Sequence, residues 1–303
     1  MKNIKEALAA YGMESSEYEV IRHNENITCK VVNEGKTYVL RIHQPIEGFC
    51  VSLIKDGKRD EKLIRTEVEL LWYMTEHGFS GLQQPVANLQ GEYVTVLKNG
   101  TPVTLLSWVE GSPIKPEEGG KYAEELARLA CRIHHAAKGF EGERIDYDNA
   151  LCHRMISEIR HAAELGHLSE EIAEKCITEI HAVERVQKKL TERYGKTLIH
   201  ADLSFGNILV TENGLIPIDF SLSGYASLTQ EAGMLLSNYR DSESCEKVLE
   251  GFRKAGEEID PTDADIFLSY SVLLFICTQH NHVYQEEWFR QALTMWCESL
   301  FIH

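Results

Sequence analysis

The chain has 303 residues, 43% of them hydrophobic and 26% charged, the balance of a folded protein with a sizeable core rather than of a disordered one. It carries 31 basic against 47 acidic side chains, a net charge of −16, which argues against nucleic-acid and anionic-membrane partners, since phosphate contacts need clustered Lys and Arg. The cysteines, Cys29, Cys50, Cys131, Cys152, Cys176, Cys245, Cys277 and Cys297, form no C-x-x-C pair, which speaks against a zinc site or a compact disulfide framework and for free thiols in a reducing compartment.

Residues 1–13 read as a short amphipathic helix, with Lys2, Lys5 and Glu6 interspersed, and not as a signal peptide. Residues 18–22, 27–33 and 37–43 are β-branched and aromatic and predict strands, the last two joined by a turn at Glu34-Gly35-Lys36. A charged stretch at 55–62 leads into a helical period, with Leu63, Ile64, Val68, Leu71 and Met74 at three- and four-residue steps up to Gly78. Two further strands are predicted at 93–97 and 103–108. Turn chemistry follows at Glu110-Gly111-Ser112-Pro113.

Beyond that point helices dominate. Residues 121–137 place Leu126, Leu129, Ala130 and Ile133 on one face; Ser169 predicts the cap of a helix to 193; Thr262 with Asp265 predicts a capping box. Strand patterning returns only at 197–219. The longest apolar run, 266–277, is shorter than the ~20 residues that a bilayer span requires, so a soluble, cytoplasmic protein is expected.

The chemistry-bearing segment is 198–221, LIHADLSFGNILVTENGLIPIDFS. Two apolar strands flank Asn213-Gly214, a strong hairpin signal. Counting outward from that turn places Asn207 opposite Asp219 at the open end of the hairpin, with Asp202 on the loop that enters it. An amide oxygen and a carboxylate at one point suit a hard cation such as Mg²⁺. A further carboxylate within reach suits phosphoryl transfer, where it orients a hydroxyl and accepts its proton.

His-x-Asp-x-x-x-x-Asn, then a hairpin, then Asp-Phe, resembles the catalytic core of the aminoglycoside phosphotransferase and choline kinase superfamily, which is related to protein kinases. The resemblance implies Asp202 as catalytic base, Asn207 and Asp219 as Mg²⁺ ligands, and His200 as a brace for the loop. It extends to Tyr38-Val39-Leu40-Arg41-Ile42-His43, which implies that Arg41 meets the ATP phosphates, and to Glu67 on the following helix as its partner. Ser107, Trp108 and Val109, followed by Glu110-Gly111, look like the hinge beneath an adenine. The likeness spans about residues 18 to 240.

An α+β, protein-kinase-like two-lobe fold is implied, with a small β-rich lobe at 1–107 and a large, mainly helical lobe at 108–303. The implied activity is ATP-dependent transfer of the γ-phosphoryl group to a hydroxyl of a small molecule, with an aminoglycoside- or amino-alcohol-like acceptor suggested by the acidic balance. A protein Ser/Thr kinase and a nucleotide-binding pseudokinase are the rival readings. The family's acceptor pocket is built from large-lobe helices, here 145–195 and 225–303, where Glu158 and Glu164 are among many acids. Two departures stand out: the 23–26 loop, His23-Asn24-Glu25-Asn26, has no glycine, and Ser221 stands where glycine is common. His134 and His135, adjacent on a helix, are not expected to share a metal, and His280 and His282 are expected to be ordinary surface or core residues.

Overall fold

A computed structural model describes residues 2–50, 53 and 60–301. Most of the charged stretch at 55–62 therefore lies outside the described residues.

The amino-terminal part is a five-stranded antiparallel sheet in the order β1 (Glu17–His23), β2 (Ile27–Asn33), β3 (Lys36–Ile42), β5 (Pro102–Ser107), β4 (Val94–Val96). Asn33 pairs with Lys36 across a two-residue turn in which Glu34 and Gly35 have φ of 50° and 75°. Positive φ at both positions matches the right-handed twist of the flanking strands. One face of the sheet, through Val31, Leu40, Ile42, Val103 and Leu105, packs on Ile4, Ala7 and Leu8 of α1 (Lys2–Ala10). Side chains alternate along a strand, so Val39 and Arg41 point to the other face. There Val39 meets Leu70, Leu71 and Met74 of α2 (Asp60–Glu76).

The carboxy-terminal part is mainly helical. Helix α3 (Gly119–Ala136) buries the predicted stripe, including Leu126, Leu129, Ala130 and Ile133. Helices α4 (Asn149–Glu164) and α5 (Glu170–Tyr194) follow, and Ser169 caps α5 by accepting from Ile172 N at 3.3 Å. Next come α6 (Leu228–Leu236), α7 (Ser242–Lys254), α8 (Pro261–Ile266), α9 (Tyr270–Val283) and α10 (Glu287–Ser299). The cap of α8 is not Thr262. Asp260 accepts from Thr262 N at 2.9 Å, and Pro261 opens the helix, where its missing N–H costs nothing.

Strand pairing is not confined to 197–219 in this part. Ser112–Pro113 (β6), expected as a turn, pairs with β9 (Ile208–Thr211), which in turn pairs with β10 (Gly214–Pro217). Ile145–Asp146 (β7), Gly224–Ala226 (β11) and Thr197–Ile199 (β8) form another small sheet. Strands of two or three residues are too short to show a period. Gly111 lies so close to the β9–β10 hairpin that a Cβ there would stand 2.7 Å from Val210 O.

The segment Pro261–Val283 is long and apolar enough by composition to cross a membrane. It is interrupted at 267–269, and Phe267, Tyr270, Leu273, Ile276 and Cys277 are wholly buried, so it is a core element. All eight cysteines are free, and burial raises the Cys29 thiol to about 11 and the Cys131 thiol to about 12, as fits unreactive core thiols.

Candidate active site

The hairpin register differs by one residue from the expectation. Thr211 pairs with Gly214 and Ile208 with Pro217, so the turn is Glu212-Asn213, one position earlier than Asn213-Gly214. Asn207 consequently lies opposite Ile218, whose N–H it accepts at 2.9 Å. Asp219 stands one residue beyond the ladder and does not face Asn207 across it. Its backbone is left-handed, with φ 63° and ψ 73°, a region that residues other than Gly, Asn and Asp rarely enter. That conformation carries its carboxylate out of the strand direction and into the cleft that Asn207 also lines.

Asn207 Nδ2 donates to Asp202 Oδ2 at 2.6 Å and to Asp202 O at 3.2 Å. The amide nitrogen is thereby directed at Asp202, leaving Oδ1, an oxygen of the kind a hard cation takes, as the group for another partner. Burial, and then the Asp219 charge, raise the Asp202 carboxyl to about 7, against hydrogen bonds from Ser204 and Asn207. A carboxyl so tuned is suited to taking a proton near neutral pH.

Arg41 joins the two parts of the chain. Its guanidinium donates from Nη1 to Glu67 Oε1 at 2.7 Å and from Nη2 to Asp219 Oδ1 at 2.8 Å. Burial opposes its charge, but Asp219 and Glu67 outweigh burial and hold it firmly protonated. Burial likewise works against the Asp219 charge, and Arg41 overcomes it, so this carboxyl sits well below the usual range. The exposed Arg22 reaches Asp219 Oδ2 at 3.6 Å. Breaking a buried pair of this kind from one side leaves an uncompensated charge, typically a loss of ~3–5 kcal/mol.

His200 is wholly buried. Its Nδ1 accepts from Asp202 N at 3.3 Å, which makes Nε2 the donor to Ile218 O at 3.2 Å. Burial lowers it to about 4, so the ring is neutral and acts as a tie between the Asp202 loop and the hairpin.

Two further ties had no sequence signal. Glu231 on α6, itself buried, accepts from His200 N at 2.5 Å and Ala201 N at 3.1 Å, where Ala201 has a φ of 62°. It clamps the strained peptide that presents Asp202, and burial raises its carboxyl to about 7. Arg144 donates to Phe220 O at 2.6 Å, Leu63 O at 2.6 Å and Ser223 Oγ at 3.1 Å, fastening the segment after Asp219 to the start of α2. Neither residue lies in a motif; each is found only by asking what satisfies the backbone of the loops.

Two clefts meet at this point. One, of about 310 Å³, is lined by Val39, Arg41, Trp108, Val109, Leu209 and Ile218, among others. The other, of about 280 Å³, contains Asp202 and one face of α9. Both include Arg22, Gly206, Asn207 and Asp219; only the first includes Arg41, and only the second includes Asp202. Ser107 is set back from both: its Oγ accepts from Gln84 N at 2.8 Å and its backbone pairs with Tyr38. Glu67 acts from behind Arg41.

The model of the phosphotransferase enzyme family matches residues 17–267. The chain is a member of that family. Amicoumacin kinase of Bacillus subtilis (strain 168) is 22% identical over 245 residues, covering 78% of this chain and 67% of its own length. Among solved structures, an amicoumacin kinase in complex with AMP-PNP, Ca2+ and Ami is similar over 99% of this chain and 92% of its own, at 18% identity and a TM-score of 0.72. A microcompartment-associated aminopropanol kinase is similar over 97% and 93%, at 17% identity and a TM-score of 0.73. The choline kinase from Streptococcus pneumoniae is similar over 97% of each chain, at 16% identity and a TM-score of 0.61. Likeness at these identities shows the two-lobe, protein-kinase-like fold, and the family model makes this member of it a phosphotransferase.

Two of the many acids in the 145–195 stretch do not line the second cleft. Glu158 Oε1 pairs with the buried His280 Nε2 at 2.7 Å, and Glu164 lies on the surface beside His161. Among the described residues lining the second cleft none falls between 145 and 195; its helical wall comes from α9 and Met234. His134 and His135, expected not to share a metal, place ligand atoms within 4.8 Å of one another and of Glu257, which the turn after α7 brings to the end of α3. His134 Nδ1 is engaged by Thr197 Oγ1 at 2.7 Å, and His135 is exposed.

Proposed function

We propose that the chain transfers the γ-phosphoryl group of ATP to a hydroxyl of a small molecule, with ATP in the Arg41–Trp108 cleft and the acceptor in the cleft beside α9. The observation that carries this reading is the meeting of the two clefts at Asn207 and Asp219, with Asp202 on the acceptor side alone. The lobes divide, on this reading, at 107/108, and the adenine lies against Trp108 and Val109. Among the described residues neither the amide nor the carbonyl of Val109 has a backbone partner, as suits a hinge that offers them to a base.

The donor set fits Mg²⁺: Asn207 Oδ1 and the Asp219 carboxylate are hard oxygen ligands, and Asp219 is held ionised by Arg41. When bound there, the ion would neutralise charge on the phosphate oxygens. Arg41, braced by Glu67, meets the phosphates from the side of the sheet. Asp202 orients the acceptor hydroxyl and takes its proton as the acceptor oxygen bonds to the γ-phosphorus and the β–γ bridging oxygen departs with ADP. His200 and Glu231 hold Asp202 in place, so little reorganisation is needed at the moment of transfer.

A cleft of about 280 Å³ walled by α9 suits a small molecule rather than an extended polypeptide. Retention of Asp202, Asn207 and Asp219 in one connected site weighs against a pseudokinase. Free buried thiols suit the reducing cytoplasm. The test is turnover: with Mg²⁺ and ATP, a panel of hydroxyl acceptors is screened for ADP release. Nucleotide-induced thermal stabilisation without turnover of any acceptor would favour the pseudokinase.

A further inference from the structure

Away from both clefts, the end of α3 gathers three groups of metal-binding type. His134 and His135 close that helix, and a helical step of ~100° should turn them to different faces. Glu257 comes from another part of the chain. The chain leaves α7 through Gly256, whose φ is 88°. Gly256 N donates to Arg253 O at 3.0 Å and Glu257 N to Phe252 O at 3.0 Å, a paired closure that fixes Glu257 just past the turn. Gly251 lets α7 approach α3 closely, since a Cβ there would stand 2.6 Å from Glu124 O. In consequence a ligand atom from each of His134, His135 and Glu257 lies within 4.8 Å of the others.

The geometry suits a shared ion better than an ion pair. His135 Nε2 lies 3.6 Å from Glu257 Oε1, too long for a hydrogen bond. Two ligand atoms on a tetrahedral ion, each at ~2.0–2.1 Å, stand roughly 3.3 Å apart. The rings of His134 and His135 have centroids 5.4 Å apart and planes inclined by 64°. Two imidazoles on one such ion have centroids roughly 5 Å apart.

An independent observation comes from β8. His134 Nδ1 lies 2.7 Å from Thr197 Oγ1. A ligating histidine gives its other ring N–H to a neighbouring oxygen, which fixes the tautomer and aims the free nitrogen at the metal. Thr197 is the oxygen in that position, and it leaves His134 Nε2 for an ion. Charge acts both ways: Glu257 and the carboxy-terminal end of α3 favour a cation here, and Lys138 opposes one. The Glu257 carboxylate meets His135, and its charge acts on His134 and on the buried Cys131 thiol. Its ion-pair partner is thus itself one of the three groups.

We propose that His134, His135 and Glu257 bind one divalent transition-metal ion of the Zn²⁺ class, with a fourth position open to water. Two imidazoles and one carboxylate are a donor set of such ions, whereas Mg²⁺ takes oxygen ligands. None of the three residues lines either cleft, and the site does not depend on the phosphotransferase reading. The ion clasps the end of α3 to the segment after α7. Thr197 opens β8, so the clasp also bears on the strand that leads into His200 and the Asp202 loop.

The test uses the full chain, stripped with a chelator and titrated with Zn²⁺ in a large excess of Mg²⁺ against a chromophoric competitor. One Zn²⁺ is expected, with a Kd on the order of 1 μM, weaker than a four-ligand structural site. At ~100 times that Kd the ion should raise Tm by about 5 °C. His135→Ala, at an exposed position, and Glu257→Gln should each weaken binding by about tenfold or more, as should Thr197→Val, which keeps the shape and removes the oxygen that orients His134. Melting of the metal-free variants checks that they fold. Co²⁺ in place of Zn²⁺ should give the visible absorption of a four-coordinate ion, lost in His135→Ala. Retention of no ion overturns the proposal. So does an unchanged affinity in His135→Ala or Glu257→Gln. An unchanged affinity in Thr197→Val reduces the site to adventitious surface ligands and overturns it too. An ion displaced by Mg²⁺, or lost in Asp219→Ala, belongs to the cleft and likewise overturns it.

Discussion

On the side of the site proposed for the nucleotide, charges meet at contact distance: Arg41 lies 2.7 Å from Glu67 and 2.8 Å from Asp219, and at the border of the two clefts the Asn207 amide ties in Asp202 at 2.6 Å. On the side proposed for the acceptor, α9 offers Leu274, Phe275 and neutral polar groups, and Thr278 Oγ1 is spent on Leu274 O at 2.8 Å. The first side is a network in which each group fixes the charge state of the next. The second is a shaped surface whose contacts are separate and individually weak. Chemistry common to any acceptor belongs in the network, where removing one member unbalances the others. Recognition of a particular acceptor belongs on the surface, where one side chain can change without disturbing the rest.

The contrast is broken most directly at Asp202. Asp202→Ala is expected to reduce kcat by ~10²–10⁴, the usual worth of a general base, with little change in ATP binding. Steady-state ADP release together with a nucleotide titration checks it, and near-normal turnover would remove Asp202 from the chemistry. Asp219→Ala follows, with a loss on the order of 10²–10³ and a weakened, metal-dependent response to ATP in thermal shift. Retained metal dependence in that variant would move the metal elsewhere.

The loop clamp is expected to show in both activity and stability. Glu231→Ala leaves the His200 and Ala201 amides without their acceptor, a cost of ~1–3 kcal/mol for each such buried group, and should lower both Tm and kcat. The native carboxyl titrates near 7 instead of its ordinary 4.5, so the folded chain holds a proton that the unfolded chain releases. Stability contributed by this group is present below about 4.5 and lost as pH rises toward 7, and melting across that window should flatten when the group is removed.

The Asp202 carboxyl, raised to about 7, must be ionised to accept a proton, so kcat/KM should rise as pH passes through about 7 and fall below it. A pH–rate profile with no limb near neutrality would contradict that role. The smallest effect belongs to the surface. Leu274→Val removes one methylene from α9 and should change acceptor kcat/KM by roughly fourfold, about 0.8 kcal/mol, while ATP parameters stay put. A matching change in the ATP KM would show that the two sides are coupled after all.

Much of the nucleotide side was legible in the sequence. The family resemblance singled out Arg41 on its strand and Glu67 on the following helix, and the two side chains do meet, at 2.7 Å. The Asp202-to-Asn207 spacing marked the catalytic loop, and the hairpin was evident to within one residue of its turn. The missing residue of register mattered, because cross-strand opposition would have brought Asn207 and Asp219 together for a reason the molecule does not use.

Local periodicity and turn chemistry are carried by near neighbours, which is why the chain by itself determined its longer strands, several of its helices and the spacing of Asp202, Asn207 and Asp219. Tertiary structure decided the left-handed turn at Asp219, the clamp of Glu231 on a peptide some thirty residues earlier in the chain, and the reach of Arg144 to Phe220 O. Each satisfies a backbone or a charge that only the assembled loops create. It also decided the α9 wall of the second cleft. The 271–279 stripe reads as part of an apolar run because its opposite face is buried in the core, and only the packing of α9 beside Asp202 turns one side of a core helix into the surface of a site.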